Sequence, residues 1–169
     1  MRKLLLLPLI WWLASSLCHA QTTDYRFQSL FIYNIAKMAK WSPEHESGDF
    51  KIAVLGNKDI AATIIKALEG KKIGNQEIKV TAYTSLDEAG YNQILFVPAN
   101  TKISMDKLNK ATENKNTMLV TERDGWGKKG STINFVMIDG KMKFEVNTEA
   151  AQKANIKLSN NISAMGIAL

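Results

Sequence analysis

The sequence from residue 132 to residue 147 reads TINFVMIDGKMKFEVN. Its central pair, Asp139-Gly140, favours a two-residue type I′ turn, because both central positions of that turn need a positive φ angle. A turn at this point brings Phe135 opposite Phe144, and the neighbouring pairs on that face are also apolar. The apolar pairs are Met137 with Met142, Phe135 with Phe144, and Ile133 with Val146. The stretch therefore predicts a β-hairpin with one apolar face, which another part of the chain must cover.

The opposite face of the predicted hairpin is mostly polar. It pairs Val136 with Lys143, Asn134 with Glu145, and Thr132 with Asn147. Because side chains alternate between the two faces of a strand, a slip of one residue would exchange the faces. The pattern therefore predicts a single register for the hairpin.

The rest of the chain alternates short apolar runs with amphipathic stretches. Strands are predicted at residues 50–55, 78–83, 93–97 and 117–121. Helices are predicted at 25–41, 58–68, 105–114 and 148–154, with a short helical turn at 85–90. Strand–helix–strand order is typical of right-handed crossovers between parallel strands. We therefore predict one α/β domain with βαβ units, helices on both faces of a mostly parallel sheet, and the C-terminal hairpin as an antiparallel edge.

The first twenty residues have the pattern of a secretory signal. Arg2 and Lys3 precede an apolar run at 4–13 that is too short to span a bilayer, and small residues lie at Cys18 and Ala20. We expect cleavage after Ala20, which leaves residues 21–169 as one exported domain. Lipidation of Cys18 is the alternative, but the preceding Leu17 is larger than the residue expected before a lipidated cysteine.

The composition of the mature chain excludes several classes of chemistry. Cys18 is the only cysteine, so its removal excludes disulfides, thiolate metal sites and thiol redox chemistry. The formal charge of +6, less the two charges of Arg2 and Lys3, becomes +4, and the basic residues are scattered singly or in pairs. A scattered pattern without interleaved aromatic residues does not indicate a nucleic-acid-binding patch.

The motifs that could carry catalysis lack the context that such chemistry needs. Residues 125–130 read GWGKKG and match GxGxxG, but they lead into a strand, whereas dinucleotide binding needs a helix N-terminus there. His45 is the only histidine after the signal, and a loop with adjacent Glu44 and Glu46 is a poor metal site. One histidine without a cysteine makes a nucleophile–histidine set hard to assemble. We therefore expect no enzymatic activity, no cofactor and no metal.

Two apolar features are candidates for contact with a partner. Trp126, in the glycine-rich turn, is either packed into the domain or displayed at the tip of the turn. The chain also ends in an apolar stretch with Ile162, Met165, Ile167 and Leu169, whereas chain ends are usually polar. This stretch either docks on its own core or forms an exposed apolar surface for a partner, and the two are not exclusive.

Several stretches of the chain resemble the YfiR family of secreted bacterial proteins. They are LFIYNIAKMAKW (30–41), KIAVLG (51–56), QILFV (93–97), GSTINFV (130–136), KMKFEVN (141–147) and AAQKANIKLS (150–159). The resemblance runs from about residue 25 to the C-terminus. Its most specific part is the hairpin, followed by Ala151 and Leu158-Ser159.

The resemblance implies a periplasmic α/β domain, often dimeric, that binds the periplasmic domain of an inner-membrane diguanylate cyclase and keeps that enzyme inactive. Such a protein lowers cyclic di-GMP signalling and biofilm formation. The resemblance also implies partner contact in the hydrophobic C-terminal region, which here contains Ile162, Met165, Ile167 and Leu169. Relatives often carry cysteines after the signal, and their absence here removes the basis for redox control.

A second interpretation of the mature chain is a periplasmic small-molecule binding or sensor module that feeds a membrane signalling protein. In open α/β sheets, ligands bind in the crevice outside the carboxyl ends of the strands. In this chain that crevice is expected near Gly56 and Asn100. A deep pocket with converging polar groups favours this interpretation, and an exposed apolar tail favours a protein partner.

Overall fold

The predicted hairpin lies near one end of an eight-stranded sheet. The computed structural model describes residues 24–169. The predicted signal at 1–20, including Cys18, lies outside the described residues. Within the described residues no helix is both long enough and apolar enough to cross a membrane.

The described part of the chain forms ten strands and five α-helices. The strands are β1 (Ala39–Lys40), β2 (Phe50–Leu55), β3 (Lys72–Ile73), β4 (Gln76–Tyr83), β5 (Ile94–Val97), β6 (Met118–Thr121), β7 (Ile133–Ile138), β8 (Lys141–Val146), β9 (Lys157–Leu158) and β10 (Ile167–Ala168). The helices are α1 (Tyr25–Met38), α2 (Lys58–Ala67), α3 (Met105–Thr112), α4 (Thr148–Lys153) and α5 (Asn160–Met165).

The main sheet has the strand order β10-β8-β7-β6-β5-β2-β4-β3. Its centre is parallel, because β4 pairs in parallel with β2, β2 with β5, β5 with β6, and β6 with β7. Antiparallel pairs lie towards the ends, between β3 and β4 and between β7 and β8. The prediction of one α/β domain with a mostly parallel sheet is confirmed. The short strands β1 and β9 form a separate antiparallel pair.

The hairpin has the predicted register and the predicted turn. Phe135 lies opposite Phe144, with Ile133 opposite Val146 and Met137 opposite Met142. The turn residues Asp139 and Gly140 have φ angles of 51° and 70°. Positive φ at both positions is the signature of a type I′ turn, whose twist matches that of the flanking strands.

The hairpin is not the edge of the sheet, which corrects the prediction. Strand β10 adds in parallel to β8, with Ile167 opposite Glu145 and Ala168 opposite Val146. The backbone N–H of Leu169 also donates to the carbonyl of Val146, at 3.0 Å. This short strand covers part of an edge that would otherwise expose unpaired backbone groups. Two residues are too few for a strand to be recognised from alternation in the sequence.

The sheet carries helices on both faces, as predicted. Strand β2 shows the division, because Ile52 and Val54 pack with α1 and α2, whereas Ala53 and Leu55 pack with α3. The face that carries α1 and α2 holds the larger apolar core. This core includes the apolar side chains at the base of the hairpin, which are Ile133, Phe135, Phe144 and Val146. The α3 face holds a smaller core that includes Trp126.

Side-chain caps fix where the helices begin after the strands and turns. Asn57 directly follows the β2 segment and its glycine, and its side chain accepts from the N–H groups of Asp59 and Ile60, both at 3.0 Å. Asn147 caps α4 in the same way by accepting from the N–H of Ala150 at 2.9 Å. Such caps satisfy backbone donors that have no partner within the helix.

Some element boundaries differ from the prediction. Helix α1 ends at Met38 rather than at Trp41, because Ala39 turns to extended backbone and enters β1. Trp41 instead packs against Phe50, with ring centroids 5.2 Å apart. Residues 85–90 form turns and not a helix, and the Glu88 carboxylate accepts from the hydroxyl of Thr84.

Candidate functional site

The structure separates the five residues predicted for partner contact. Ile162 is completely buried in the core on the α1 side, and Trp126 is only 7% exposed. Met165 and Leu169 are 56% and 41% exposed, and Ile167 is half-buried. Ile162 and Trp126 are therefore core residues. The side chains of Met165, Ile167 and Leu169 are accessible to a partner.

Trp126 is packed and not displayed, which settles the two alternatives for this side chain. It lies in the α3-side core, and the guanidinium of Arg123 lies over its ring at 4.6 Å from the centroid. Arg123 is itself fixed, because its Nε donates to the Ala99 carbonyl at 2.5 Å and its Nη2 donates to the Thr101 carbonyl at 2.9 Å. The glycine-rich turn is therefore built around a buried aromatic side chain.

A buried polar network holds this turn against the hairpin. The Asn134 Oδ1 accepts from the hydroxyl of Thr121 at 2.6 Å and from the N–H of Arg123 at 3.1 Å. Its Nδ2 donates to the Arg123 carbonyl and to the Glu145 carboxylate, both at 2.8 Å. Asn134 is fully buried, so each bond replaces one that water would otherwise make. The polar face of the hairpin therefore faces the turn instead of solvent.

The C-terminal stretch wraps around the end of the sheet. Gly166 lies so close to Phe144 and Val146 that an added Cβ would clash with both side chains, which places α5 on the α1 side. Leu169 lies beside Gly127 on the opposite side of the sheet. The apolar residues that the sequence presents as one stretch therefore belong to two surfaces.

An exposed apolar surface lies on the α1 side of this end of the sheet. Phe31 of α1 packs on the hairpin, with its ring centroid 5.7 Å from that of Phe144 and 6.3 Å from that of Phe135. Helix α5 contacts α1 next to this packing. Four large apolar side chains on the elements that meet here, α1, β7 and α5, are exposed, and we call them the apolar rim. They are Phe27 (60% exposed), Leu30 (42%), Met137 (59%) and Met165 (56%).

Sequence reasoning identified Met165 and missed the other three members of the apolar rim. The spacing of apolar residues in the sequence predicts that Phe27 and Leu30 belong to one buried stripe of this helix, and the structure corrects that prediction. The buried positions of α1 are Gln28, Ser29, Ile32, Ile35 and Ala36. The sequence does contain a sign of their exposure, because Phe27 and Leu30 fall outside this stripe, on a second apolar side of the helix. The predicted hairpin places Met137 on its covered face, but this side chain is 59% exposed.

The crevice at the carboxyl ends of the strands is partly filled by groups of the chain itself. The Thr101 hydroxyl donates to the carbonyl of Leu55 at 3.1 Å, next to Gly56. The Glu122 carboxylate accepts from the Tyr25 hydroxyl at 2.6 Å and from the Ala99 N–H at 2.9 Å. Burial raises the pKa of Tyr25, and the bond to Glu122 raises it further, so this tyrosine keeps its proton. On the α1 side the expected ligand crevice is therefore closed by α1 and the loop after β6. On the α3 side, Leu55 and Thr101, next to Gly56 and Asn100, line an open groove.

No cluster of three or more His, Cys, Asp or Glu side chains suited to a metal ion occurs among residues 24–169. His45 stacks on Tyr91 with ring centroids 4.0 Å apart. Its ring is therefore engaged in packing. Any metal or catalytic role for this histidine would have to compete with that contact.

A comparison with solved structures finds proteins with a similar fold. One similar structure is the ABC domain from Streptococcus pneumonia, solved in complex with L-Trp, with a TM-score of 0.57 and 12% sequence identity. The alignment covers 86% of this chain and 60% of that chain. At this identity the similarity extends to the fold alone. A comparison with curated proteins gave no match.

Comparison with protein families gives a match over most of the chain. The model of the YfiR/HmsC-like family matches residues 25–166. The match begins with α1 and includes the parallel strands, the hairpin and α5. The family is regulatory and not catalytic. The chain thus belongs to the YfiR/HmsC-like family of periplasmic regulators of diguanylate cyclase signalling.

Proposed function

We propose that this protein keeps an inner-membrane diguanylate cyclase inactive by binding the periplasmic domain of that cyclase through the apolar rim. The consequence in the cell is lower cyclic di-GMP and less biofilm. The observation that carries the proposal is the exposure of Phe27, Leu30, Met137 and Met165 on three elements that meet at one end of the sheet, in a member of a regulatory family. Exposed apolar patches of this kind are typical of protein-binding surfaces.

The chemistry of the apolar rim suits a protein partner. Methionine side chains are flexible and polarisable, so Met137 and Met165 can adapt to an irregular apolar surface. Burying one apolar side chain of this size stabilises a complex by roughly 1.5–3 kcal/mol before the costs of association. A difference of about 5.5 kcal/mol between two states of a partner is enough to exchange their populations. The apolar rim is therefore large enough to supply a regulatory difference in affinity.

The proposed mechanism is a shift of population across the membrane. A cyclase whose periplasmic domains alternate between two arrangements is inhibited by a protein that binds the inactive arrangement more tightly. The inhibitor needs no catalytic group for this. Release then requires only a signal that weakens the contact or covers the apolar rim.

The C-terminal strand belongs to the same proposal. Met165 lies in the apolar rim, Ile167 pairs with β8 at the end of the sheet, and Leu169 lies beside Gly127 on the opposite side. We expect these residues to add contacts to the cyclase. The small-molecule interpretation is less well supported. Tyr25 and Glu122 fill the α1 side of the crevice where it expected a ligand, and the groove on the α3 side, at about 1600 Å³, is larger than the roughly 300–1,000 Å³ usual for small-molecule pockets.

The direct test is the double variant Met137→Glu with Met165→Glu. Tagged protein is used to capture the cyclase from membranes of the native host, and cyclic di-GMP is measured in cells that express the variant in place of the wild type. The matched control is Ile65→Glu, which changes an apolar residue of α2 that is 51% exposed and lies outside the apolar rim.

We expect the double variant to lose capture of the cyclase and to raise cyclic di-GMP, while the control behaves like the wild type. Normal repression by the folded double variant would contradict the proposal. Loss of self-association alone, measured by light scattering and without a change in cyclase capture, would also contradict it. That result would mean that the apolar rim joins two copies of this chain.

Truncation after Ala164 tests the contribution of the C-terminal strand. It removes Met165 and β10 but keeps Ile162, which anchors α5 in the core. We expect a folded domain with a lower midpoint of unfolding that no longer represses the cyclase. A truncated protein that still lowers cyclic di-GMP in cells would show that the C-terminal strand is dispensable for repression.

A further inference from the structure

We propose that a second surface, on the α3 face of the sheet, binds an extended acidic segment of a protein partner. This surface is an open groove between α3 and the connection at residues 84–93, and we call it the basic groove. Five basic side chains line it, namely Lys102, Lys107, Lys110, Lys115 and Arg123. It lies on the opposite face of the sheet from the apolar rim, so it is independent of the function proposed above.

The charge of the basic groove is strongly unbalanced. Among the described residues that line it, Asp87 is the one carboxylate. The ion pairs formed within residues 24–169 do not include any of its four lysines. These lysines appear scattered in the sequence, at positions before, within and after α3, and the fold brings them together along one groove. Concentrated charge of one sign in a cleft attracts a partner of the opposite sign.

The groove also has an apolar floor. Leu86 and Ile103 are half-buried in it, and both pack against the core that contains Leu95. A floor of aliphatic side chains beneath a row of lysines suits a segment in which apolar and acidic residues alternate. In an extended segment, alternate side chains point in opposite directions, so one set can reach the floor while the other faces the lysines.

The size of the groove favours a peptide over a small ligand. Its volume is about 1600 Å³, whereas pockets for small molecules usually have roughly 300–1,000 Å³. The groove is also open along its length. A small anion would leave most of the lining side chains without a contact.

One end of the groove offers a rigid cation. Arg123 is fixed by its bonds to the carbonyls of Ala99 and Thr101 and by its position over Trp126. A guanidinium has five N–H donors, and these two bonds leave others for a carboxylate. Since the side chain is already ordered, binding an acidic residue there costs little additional entropy.

The aromatic side chains of the groove argue against single-stranded nucleic acid. Binding of that kind needs free aromatic faces on which bases stack. The two aromatic rings that line the groove belong to His45 and Tyr91, and they stack on each other at 4.0 Å. The aliphatic floor and the engaged rings therefore favour a peptide.

The test uses a fluorescein-labelled peptide of alternating Glu and Leu, with fluorescence anisotropy as the measurement. The variant is Lys107→Glu with Lys110→Glu, which reverses two charges of the groove. The matched control is Lys58→Glu with Lys66→Glu, which makes the same change of net charge on α2 at the opposite face. A Glu-Ser peptide and a single-stranded oligonucleotide serve as competitors.

We expect the peptide to bind, with an affinity that falls as NaCl is added. The groove variant should weaken binding by about tenfold or more, a loss of about 1.4 kcal/mol. The control variant and the variant of the apolar rim, Met137→Glu with Met165→Glu, should bind the peptide like the wild type. Failure of the proposed cyclase binding would leave this result unchanged, so the two proposals are tested separately.

Three results would overturn the inference. Equal weakening in the groove and control variants would mean that only net charge matters. Equal competition by the Glu-Ser peptide would remove the role of the apolar floor. Stronger competition by the oligonucleotide, lost in the groove variant, would assign the groove to nucleic acid.

Discussion

The base and the tip of the hairpin have the same pattern in the sequence and different surroundings in the structure. Ile133 and Phe135 are buried, whereas Met137 on the same face of the same strand is 59% exposed. The pairing is regular throughout, because Phe135 lies opposite Phe144 and Met137 lies opposite Met142. Alternation of apolar residues therefore determines the register, but it does not determine how far the covering helix reaches.

The difference arises from α1. Its Phe31 contacts Phe135 and Phe144, and this contact closes the core at the hairpin base. Beyond it, Met142 is half-buried against the core, whereas Met137 on the same face is 59% exposed. One continuous apolar face can thus serve folding at one end and, as we propose, partner binding at the other. The following predictions test that division, from the largest expected effect to the smallest.

Substitution at the base should have the largest effect on stability. Phe135→Ala removes a buried ring that contacts Phe31 and leaves a cavity in the core. We expect the free energy of unfolding to fall by about 3–5 kcal/mol. Denaturant unfolding followed by circular dichroism measures this quantity. A loss below about 1 kcal/mol would show that the base of the hairpin is not part of the main core.

A substitution on the polar face of the hairpin base should lower the free energy of unfolding by a smaller amount. Asn134→Ala leaves the Thr121 hydroxyl and the backbone of Arg123 without their buried partner. We expect a loss of about 1–3 kcal/mol in the free energy of unfolding. Asn34→Ala, at an exposed asparagine of α1, is the control and should change the free energy of unfolding very little. Equal effects at both positions would contradict the buried network.

Substitution in the turn that closes the tip should reduce stability less again. Gly140 has a φ angle of 70°, a conformation that costs other residues about 1–2 kcal/mol, so Gly140→Ala should destabilise the protein by that amount. Asp139→Asn is the control, because asparagine also favours the type I′ turn. A shift in the unfolding midpoint for Gly140→Ala but not for Asp139→Asn would confirm the turn. The reverse order would exclude it.

Substitution at the tip should have the smallest effect on stability. Met137→Lys exchanges an exposed side chain at the end of the hairpin, so we expect the free energy of unfolding to change by less than about 0.5 kcal/mol. Denaturant unfolding side by side with Phe135→Ala gives the comparison directly. A loss as large as that of Phe135→Ala would mean that Met137 contributes to the core.

The sequence was sufficient for those parts of the fold that local rules determine. The hairpin register follows from alternation and from Asp139-Gly140, and the central strands follow from short apolar runs that end at Gly56 or Pro98. The family was also recognisable from these stretches. The position of β10 was not predictable, because two residues carry no period and their pairing depends on a strand edge distant in sequence.

The candidate sites show the same limit. The apolar chain end left open whether its side chains are buried or exposed, and the exposure of Met165 and Leu169 and the burial of Ile162 and Trp126 depend on contacts that only the folded chain makes. The basic groove was missed for the same reason. Its lysines lie several residues apart, and only the path of the chain around α3 places them along one cleft.

The most direct measurement of the central claim is methionine footprinting with hydrogen peroxide. Oxidation follows exposure, so Met137 and Met165 should be oxidised much faster than Met118, which is buried in β6. With membranes that contain the cyclase, we predict protection of Met137 and Met165 and no change at Met118. Equal oxidation of Met137 and Met165 with and without bound cyclase would contradict the account.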